Sequence, residues 1–158
     1  MITRQGGNFI VPDTYTDAAP LRELLRILVR KTGILERGEA TCCSITLSQC
    51  HALVEIGRQA NLSVNQLAEL LGLDKSTVSR AVDKLVGDGT VLREEHPEDR
   101  RYATLRLTED GRQLFDTIES RMTAYFHEVI QSIPEEKRPQ VLESLQYLTA
   151  ALQGPRCC

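Results

Sequence analysis

Residues 63–111, SVNQLAELLGLDKSTVSRAVDKLVGDGTVLREEHPEDRRYATLRLTEDG, decide the fold. Ser63-Val-Asn-Gln66 is a capping-box pattern, in which a hydroxyl and an amide three residues apart satisfy each other's backbone N–H groups. It opens a short helix with Leu67, Leu70 and Leu71 on its apolar face, stopped by Gly72. Gly72-Leu73 is the whole connection to Asp74, which caps the next helix. There Val78, Val82, Leu85 and Val86 form the predicted buried stripe, and Gly87-Asp88-Gly89 ends it. Two helices joined by so short a turn make a helix-turn-helix. Val91 to Glu95 and Arg101 to Leu107 read as strands around the turn His96-Pro97-Glu98-Asp99, a β-hairpin placed where a wing would be.

Working outward, residues 1–16 read as irregular, with Gly6-Gly7 and Pro12. Asp17 is a predicted helix cap with Pro20 near the first turn, and Leu21, Leu24, Leu25 and Leu28 follow at helical spacing. That helix ends between Gly33 and Gly38, and residues 39–45 form a loop. Thr46-Leu-Ser-Gln49 is another capping box, opening a helix with Leu47, Ala52, Leu53 and Ile56 on its apolar side. Downstream, Thr108 caps a long helix carrying Leu114, Ile118, Met122, Tyr125, Val129 and Ile133 along one face, broken at Pro134. A final helix from about Pro139 to Leu152 is expected to bury Val141, Leu145, Leu148 and Leu152. The fold class is mainly α with a small β-hairpin wing.

The chain has 158 residues, 41% hydrophobic and 26% charged, enough for a core without disulfide or metal staples. No apolar run approaches the roughly 20 residues of a membrane span, and no apolar signal region opens the chain. A cytoplasmic protein without membrane association is the expectation. A net charge of -3 and a pI near 5.7 do not mark a strongly basic nucleic-acid binder, so the placement of the basic residues matters more than their sum. Enzymatic signatures are missing: there is no GxSxG, no phosphate loop and no His-carboxylate metal motif.

In a helix-turn-helix the second helix lies in the major groove, and its N-terminal residues meet base edges. Here that position offers Lys75, Ser76, Thr77, Ser79 and Arg80. Hydroxyls can bond phosphates and bases, and an arginine can fork onto guanine. Lys84, one turn beyond Arg80, is in reach of a phosphate. The hairpin adds Arg93, Arg100, Arg101 and Arg106, and an arginine at a hairpin tip suits a narrow minor groove. Asp99 can hold the Arg101 guanidinium through a charge-assisted pair. Basic and acidic residues nearly balance between Lys75 and Arg106, so a solvated, charge-mixed surface is the plain alternative for each residue singly.

The run from Asn65 to Gly111, closing on Leu107-Thr108-x-x-Gly111, resembles the core signature of the MarR family of transcriptional regulators. The resemblance extends more loosely over about Leu21 to Leu152. It implies a homodimer in which the first helix and the last two pack across a two-fold axis. Two winged lobes then meet a pseudo-palindromic, double-stranded DNA operator, with half-sites roughly 34–36 Å apart. Ser76, Thr77, Ser79 and Arg80 match the groove-facing positions, and Asp99 and Arg101 the wing-tip pair. The organisation implied is an arm (1–16), a dimerisation helix and cysteine loop (17–45), a winged helix-turn-helix domain (46–110), dimerisation helices (111–153) and a cysteine-containing tail (154–158). Repression by occupancy is the expected mode, and no cofactor is required for DNA binding.

The cysteines point to the signal. They number five, two vicinal pairs, Cys42-Cys43 and Cys157-Cys158, and Cys50 near the start of a helix. An odd count in vicinal pairs is a poor disulfide framework and suits soft-ion ligation or redox chemistry. A helix N-terminus favours thiolate at Cys50. As(III), Sb(III) and Hg(II) are the expected effectors, with disulfide formation by oxidants as one alternative. A small aromatic ligand in the cleft between dimer and DNA parts, which the family resemblance implies, is another. For Cys50 alone, a small core residue is the competing reading. A thiol-rich metal-binding protein without DNA function is the alternative of another class, and it would show no steep salt dependence of duplex binding. His51, His96 and His127 have no metal-ligand spacing.

Overall fold

Side-chain caps at Ser63, Asp74 and Thr108 open three of the helices. A computed structural model describes residues 17–32, 45–59, 61–95 and 103–152. The chain divides into two units, Met1–Leu47 and Ser48–Cys158.

In the first unit, α1 spans Ala18–Lys31. Asp17 stands before it but makes no side-chain cap bond, contrary to expectation, because its backbone is already helical (φ −89°, ψ −15°). A capping side chain reaches back to the first-turn N–H groups only from an extended backbone. Arg30 and Lys31 lie in the last turn, where cations complement the helix dipole. Leu21, Leu24 and Leu28 are all exposed, so this helix buries no residue within one chain.

The second unit is built around α2 (Leu47–Arg58), α3 (Val64–Leu71), α4 (Lys75–Gly87), β1 (Val91–Glu95), β2 (Ala103–Leu107) and α5 (Glu109–Gln131). Both bonds of the Ser63/Gln66 capping box are made. Gly72 ends α3 in the left-handed region at φ 62°, a conformation that a Cβ would strain. Asp74 caps α4 from an extended backbone, accepting from the Thr77 N–H at 2.9 Å. The core gathers Leu53 and Ile56 from α2, Leu67 from α3, Val78, Val82 and Leu85 from α4, Val91 from β1, Leu105 from β2 and Ile118 from α5. Each such side chain contributes roughly 1.5–3 kcal/mol when fully buried.

Two expected core positions differ. Leu70 is 50% exposed and its neighbour Ala68 is buried instead, because a helix of two turns presents only a narrow stripe to the core. Val86 is half-buried, and Ala81 takes the covered place on α4. The hairpin is antiparallel, pairing Val91 with Leu107 and Glu95 with Ala103. A further bridge was not expected: the Leu105 N–H donates to Leu62 O at 2.8 Å, attaching the entry to α3 to the outer side of β2. Asn61, with φ 63°, makes the preceding turn, a conformation that asparagine tolerates better than most residues.

Thr108 caps α5 as predicted, accepting from the Gly111 N–H at 3.0 Å. Its hydroxyl also donates to Gly89 O at 2.7 Å. The helix start sits so close to the segment after α4 that a Cβ at Gly111 would collide with Thr90 O. Arg58 pairs with Glu119 at 3.1 Å, tying α2 to α5 farther along. Beyond Ile118 the helix leaves its apolar residues uncovered: Met122, Tyr125, Phe126 and Val129 are exposed, with the Tyr125 and Phe126 rings edge to face.

A 3₁₀ turn (Glu135–Lys137) follows Pro134, and α6 spans Arg138–Ala151. The expected burial of Val141, Leu145, Leu148 and Leu152 is not met within one chain: Leu145 and Leu152 are exposed and the other two half-buried. Their apolar face is only partly covered among the described residues of a single copy. No helix among the described residues is long and apolar enough to cross a membrane.

Candidate nucleic-acid interface

The first turn of α4 brings together most of the predicted DNA-reading residues. Lys75, Ser76 and Arg80 are exposed, while Thr77 and Ser79 are half-buried. Asp74 organises this end. Its carboxylate accepts the Ser76 hydroxyl on Oδ1 and the Thr77 hydroxyl on Oδ2, the latter at 2.6 Å, besides the capped N–H. Arg80 Nη2 in turn donates to Thr77 Oγ1 at 3.4 Å. The hydroxyl of Ser76 first, then the hydroxyl and N–H of Thr77, hold the Asp74 carboxyl well below the usual carboxylate range. It is therefore an anion at any physiological pH.

Three other basic residues read as DNA contacts have carboxylate partners. Lys84 Nζ lies 2.8 Å from Asp88 Oδ1. Arg93 Nη2 lies 2.7 Å from Asp83 Oδ1, fastening β1 to α4. Arg106 Nη1 crosses the hairpin to Glu94 Oε2 at 3.1 Å. All are solvent-exposed pairs of the kind that contribute little to stability and yield readily to a competing anion. Among the described residues, neither Lys75 nor Arg80 forms an ion pair with a carboxylate.

The wing tip and most thiols lie outside the described residues: Asp99, Arg100, Arg101, Cys42, Cys43, Cys157 and Cys158. Cys50 is half-buried, the fourth residue of α2. His51 and His127 are exposed. Among the described residues no group of three or more His, Cys, Asp or Glu could hold a metal ion.

Sequence reasoning assigned Asp74 only a capping role. The cap on the Thr77 N–H was legible in the spacing; the hold on both hydroxyls was not, because it depends on the side-chain rotamers of Asp74, Ser76 and Thr77. The Lys84/Asp88 pair follows from i,i+4 spacing. The Arg93/Asp83 pair joins strand to helix and has no local signal.

A two-helix reading unit followed at once by a hairpin, with arginine, lysine and hydroxyls at the start of the second helix, defines a winged helix-turn-helix DNA-binding protein. Residues 45–102 match the model of the MarR family. The HTH-type transcriptional regulator BilQ of Clostridium symbiosum is 30% identical over 113 residues, which are 72% of this chain and 78% of BilQ. The chain belongs to the MarR family, and is a DNA-binding transcriptional regulator and not an enzyme. Its fold is shared with Streptococcus pneumoniae FabT, solved in complex with DNA, at a TM-score of 0.74 and 21% identity, covering 87% of this chain and 98% of FabT. Bordetella bronchiseptica BpsR, whose structure concerns regulation of its DNA binding by 6-hydroxynicotinic acid, has a TM-score of 0.67 and 18% identity over 82% of this chain and 98% of BpsR.

Proposed function

We propose that two copies of this chain bind a pseudo-palindromic operator and repress transcription by occupancy, and that a thiol-reactive signal, a soft metal or metalloid such as As(III), releases them. The observation carrying the dimer is the uncovered apolar surface of three helices: Leu24 on α1, Tyr125, Phe126 and Val129 on α5, and Leu142 and Leu145 on α6 are all exposed in one copy. Apolar residues at helical spacing, uncovered on three separate helices, are what a second copy would bury. Lys75, Ser76, Thr77, Ser79 and Arg80 read base edges in this proposal. Lys84 and the pair Asp99 and Arg101 engage the backbone and the minor groove. The protein works in the cytoplasm.

The thiol signal rests on the sequence: four of the five cysteines form vicinal pairs, and a pair plus one more sulfur supplies the three thiolates that As(III) or Sb(III) takes. The inducer acts through different affinities for the DNA-competent and incompetent arrangements of the two lobes. The test is fluorescence anisotropy of reduced protein on its own promoter fragment, titrated with As(III) and separately with peroxide. Release by As(III) at low stoichiometry, reversed by excess dithiol and lost in Cys42→Ser/Cys43→Ser, supports the metalloid reading. Release by peroxide alone makes the protein an oxidant switch. No release by either overturns thiol sensing and leaves an organic ligand as the next candidate, in line with the small acid named for BpsR.

A further inference from the structure

The geometry points to Ser76 and Thr77 reading exocyclic amines, adenine N6 or cytosine N4, as hydrogen-bond acceptors only, with Asp74 as the residue that sets this polarity. The inference rests on the proposed placement of the start of α4 in the major groove.

A serine or threonine hydroxyl has one hydrogen to give and two lone pairs to receive with. Both hydrogens are committed here: Ser76 Oγ donates to Asp74 Oδ1, and Thr77 Oγ1 to Asp74 Oδ2 at 2.6 Å. An ionised carboxylate only accepts, so it cannot reverse either bond. These are charge-assisted bonds, roughly twice as strong as neutral ones. What the two oxygens offer outward is therefore lone pairs. Ser76 Oγ keeps both of its own. Thr77 Oγ1 keeps one, the other being used by Arg80 Nη2 at 3.4 Å.

Phosphate oxygens are acceptors, as are guanine O6 and N7 and thymine O4, so none of them bonds to these hydroxyls in this arrangement. The major-groove donors that remain are the amines of adenine and cytosine. The Asp74 anion acts in the same direction, since it repels phosphates and carbonyl edges and attracts amines. Serine and threonine at the start of a recognition helix are ordinarily equivocal, able to anchor the backbone or read a base. Asp74 removes the first option. The chain Arg80 to Thr77 to Asp74 also holds the guanidinium beside the same edge, a position from which it can fork onto a neighbouring guanine.

Every base pair carries one such amine, so sequence preference alone does not test the idea, and atom substitution does. An operator is first selected from random duplexes by the full-length protein. It is then scanned with 2-aminopurine for adenine, which pairs with thymine but has no major-groove amine, and with N4-methylcytosine for cytosine. Acceptors are removed with 7-deazapurines, and phosphate charge with methylphosphonates. The wild type is expected to lose about 3- to 10-fold in affinity at one or two amine positions per half-site. Ser76→Ala and Thr77→Val leave the Asp74 cap on the Thr77 N–H in place, bind native DNA more weakly, and show no further loss at those positions. In Asp74→Asn a carbonyl in the Oδ1 position keeps both the cap and the Ser76 hydroxyl, while the Thr77 hydroxyl loses its acceptor on Oδ2 and is released to donate, so the sensitivity assigned to Thr77 moves to a 7-deazapurine site. The proposal is overturned if Ser76→Ala and Thr77→Val leave the amine sensitivity intact, or if they silence a methylphosphonate or 7-deazapurine position instead. Wild-type protein that selects no duplex would refute the DNA-reading placement of α4 itself.

Discussion

The winged lobe and the outer helices both carry apolar residues at helical spacing but differ in what covers them. In the lobe, Leu53, Leu67, Val82, Leu85, Val91 and Leu105 are fully buried within one chain. On α1 and α6 no residue is buried, and α5 buries Gly111 and Ile118 near its start while its later apolar residues stay open. The lobe is thus a core complete in one copy, whereas the outer helices leave apolar residues open that the proposed dimer would bury. The lobe's stability should then be a property of the chain, and that of the outer helices a property of its concentration.

The largest test of this contrast is at the start of α5. Gly111→Val forces a side chain into Thr90 O, with which even a Cβ would collide. It should yield no cooperatively folded protein, and wild-type melting would show that the helix is not seated as described. Next, Leu85→Ala opens a cavity in the lobe and should cost about 2–5 kcal/mol in urea unfolding. A much smaller loss would mean that the lobe, too, depends on cover from elsewhere. Val129→Asp, on the open face of α5, should instead leave the secondary structure in place and weaken self-association at least ~10-fold by sedimentation equilibrium, given the cost of burying an unpaired charge. Equal dimerisation would move the interface off this face. Asp83→Asn releases Arg93 from an exposed ion pair. It should cost only roughly 0.2–1 kcal/mol of lobe stability, and a larger loss would make the wing fastening part of the core.

The smallest effect concerns pH. The Asp74 carboxyl has a folded-state pKa below its unfolded value. Its stabilisation is therefore fully present above the unfolded value of about 3.9 and fades as pH falls through the folded one. Wild type and Asp74→Asn should differ by the same amount at every pH from about 5 to 8, with the gap closing only in strong acid. A gap that changes near neutrality would show that another group controls this end of α4.

Much of this was legible in the sequence because it is local. The Ser63/Gln66, Asp74 and Thr108 caps are contacts between residues three apart, and the αL end at Gly72 follows from a missing Cβ. Asp17 was misread because a capping residue type does not guarantee the extended backbone that capping requires. Leu70 and Val86 were misplaced because periodicity names a helix face without saying how wide a stripe its neighbours cover. In the candidate site, local spacing located Lys75 to Arg80 but left the direction of the hydroxyl hydrogens open. That direction depends on side-chain rotamers at Asp74, Ser76 and Thr77 together.

The sequence by itself determined the order of elements, the caps at Ser63, Asp74 and Thr108, the helix-turn-helix with its hairpin and the residues at the start of the reading helix, because each rests on interactions within a few positions. Only the tertiary structure decided that Leu62 bridges Leu105, that Asp83 holds Arg93, and that Leu24, Tyr125, Phe126, Val129, Leu142 and Leu145 stay exposed in one copy. Those features depend on residues brought together by packing, or on the absence of packing, and neither leaves a mark in short-range spacing.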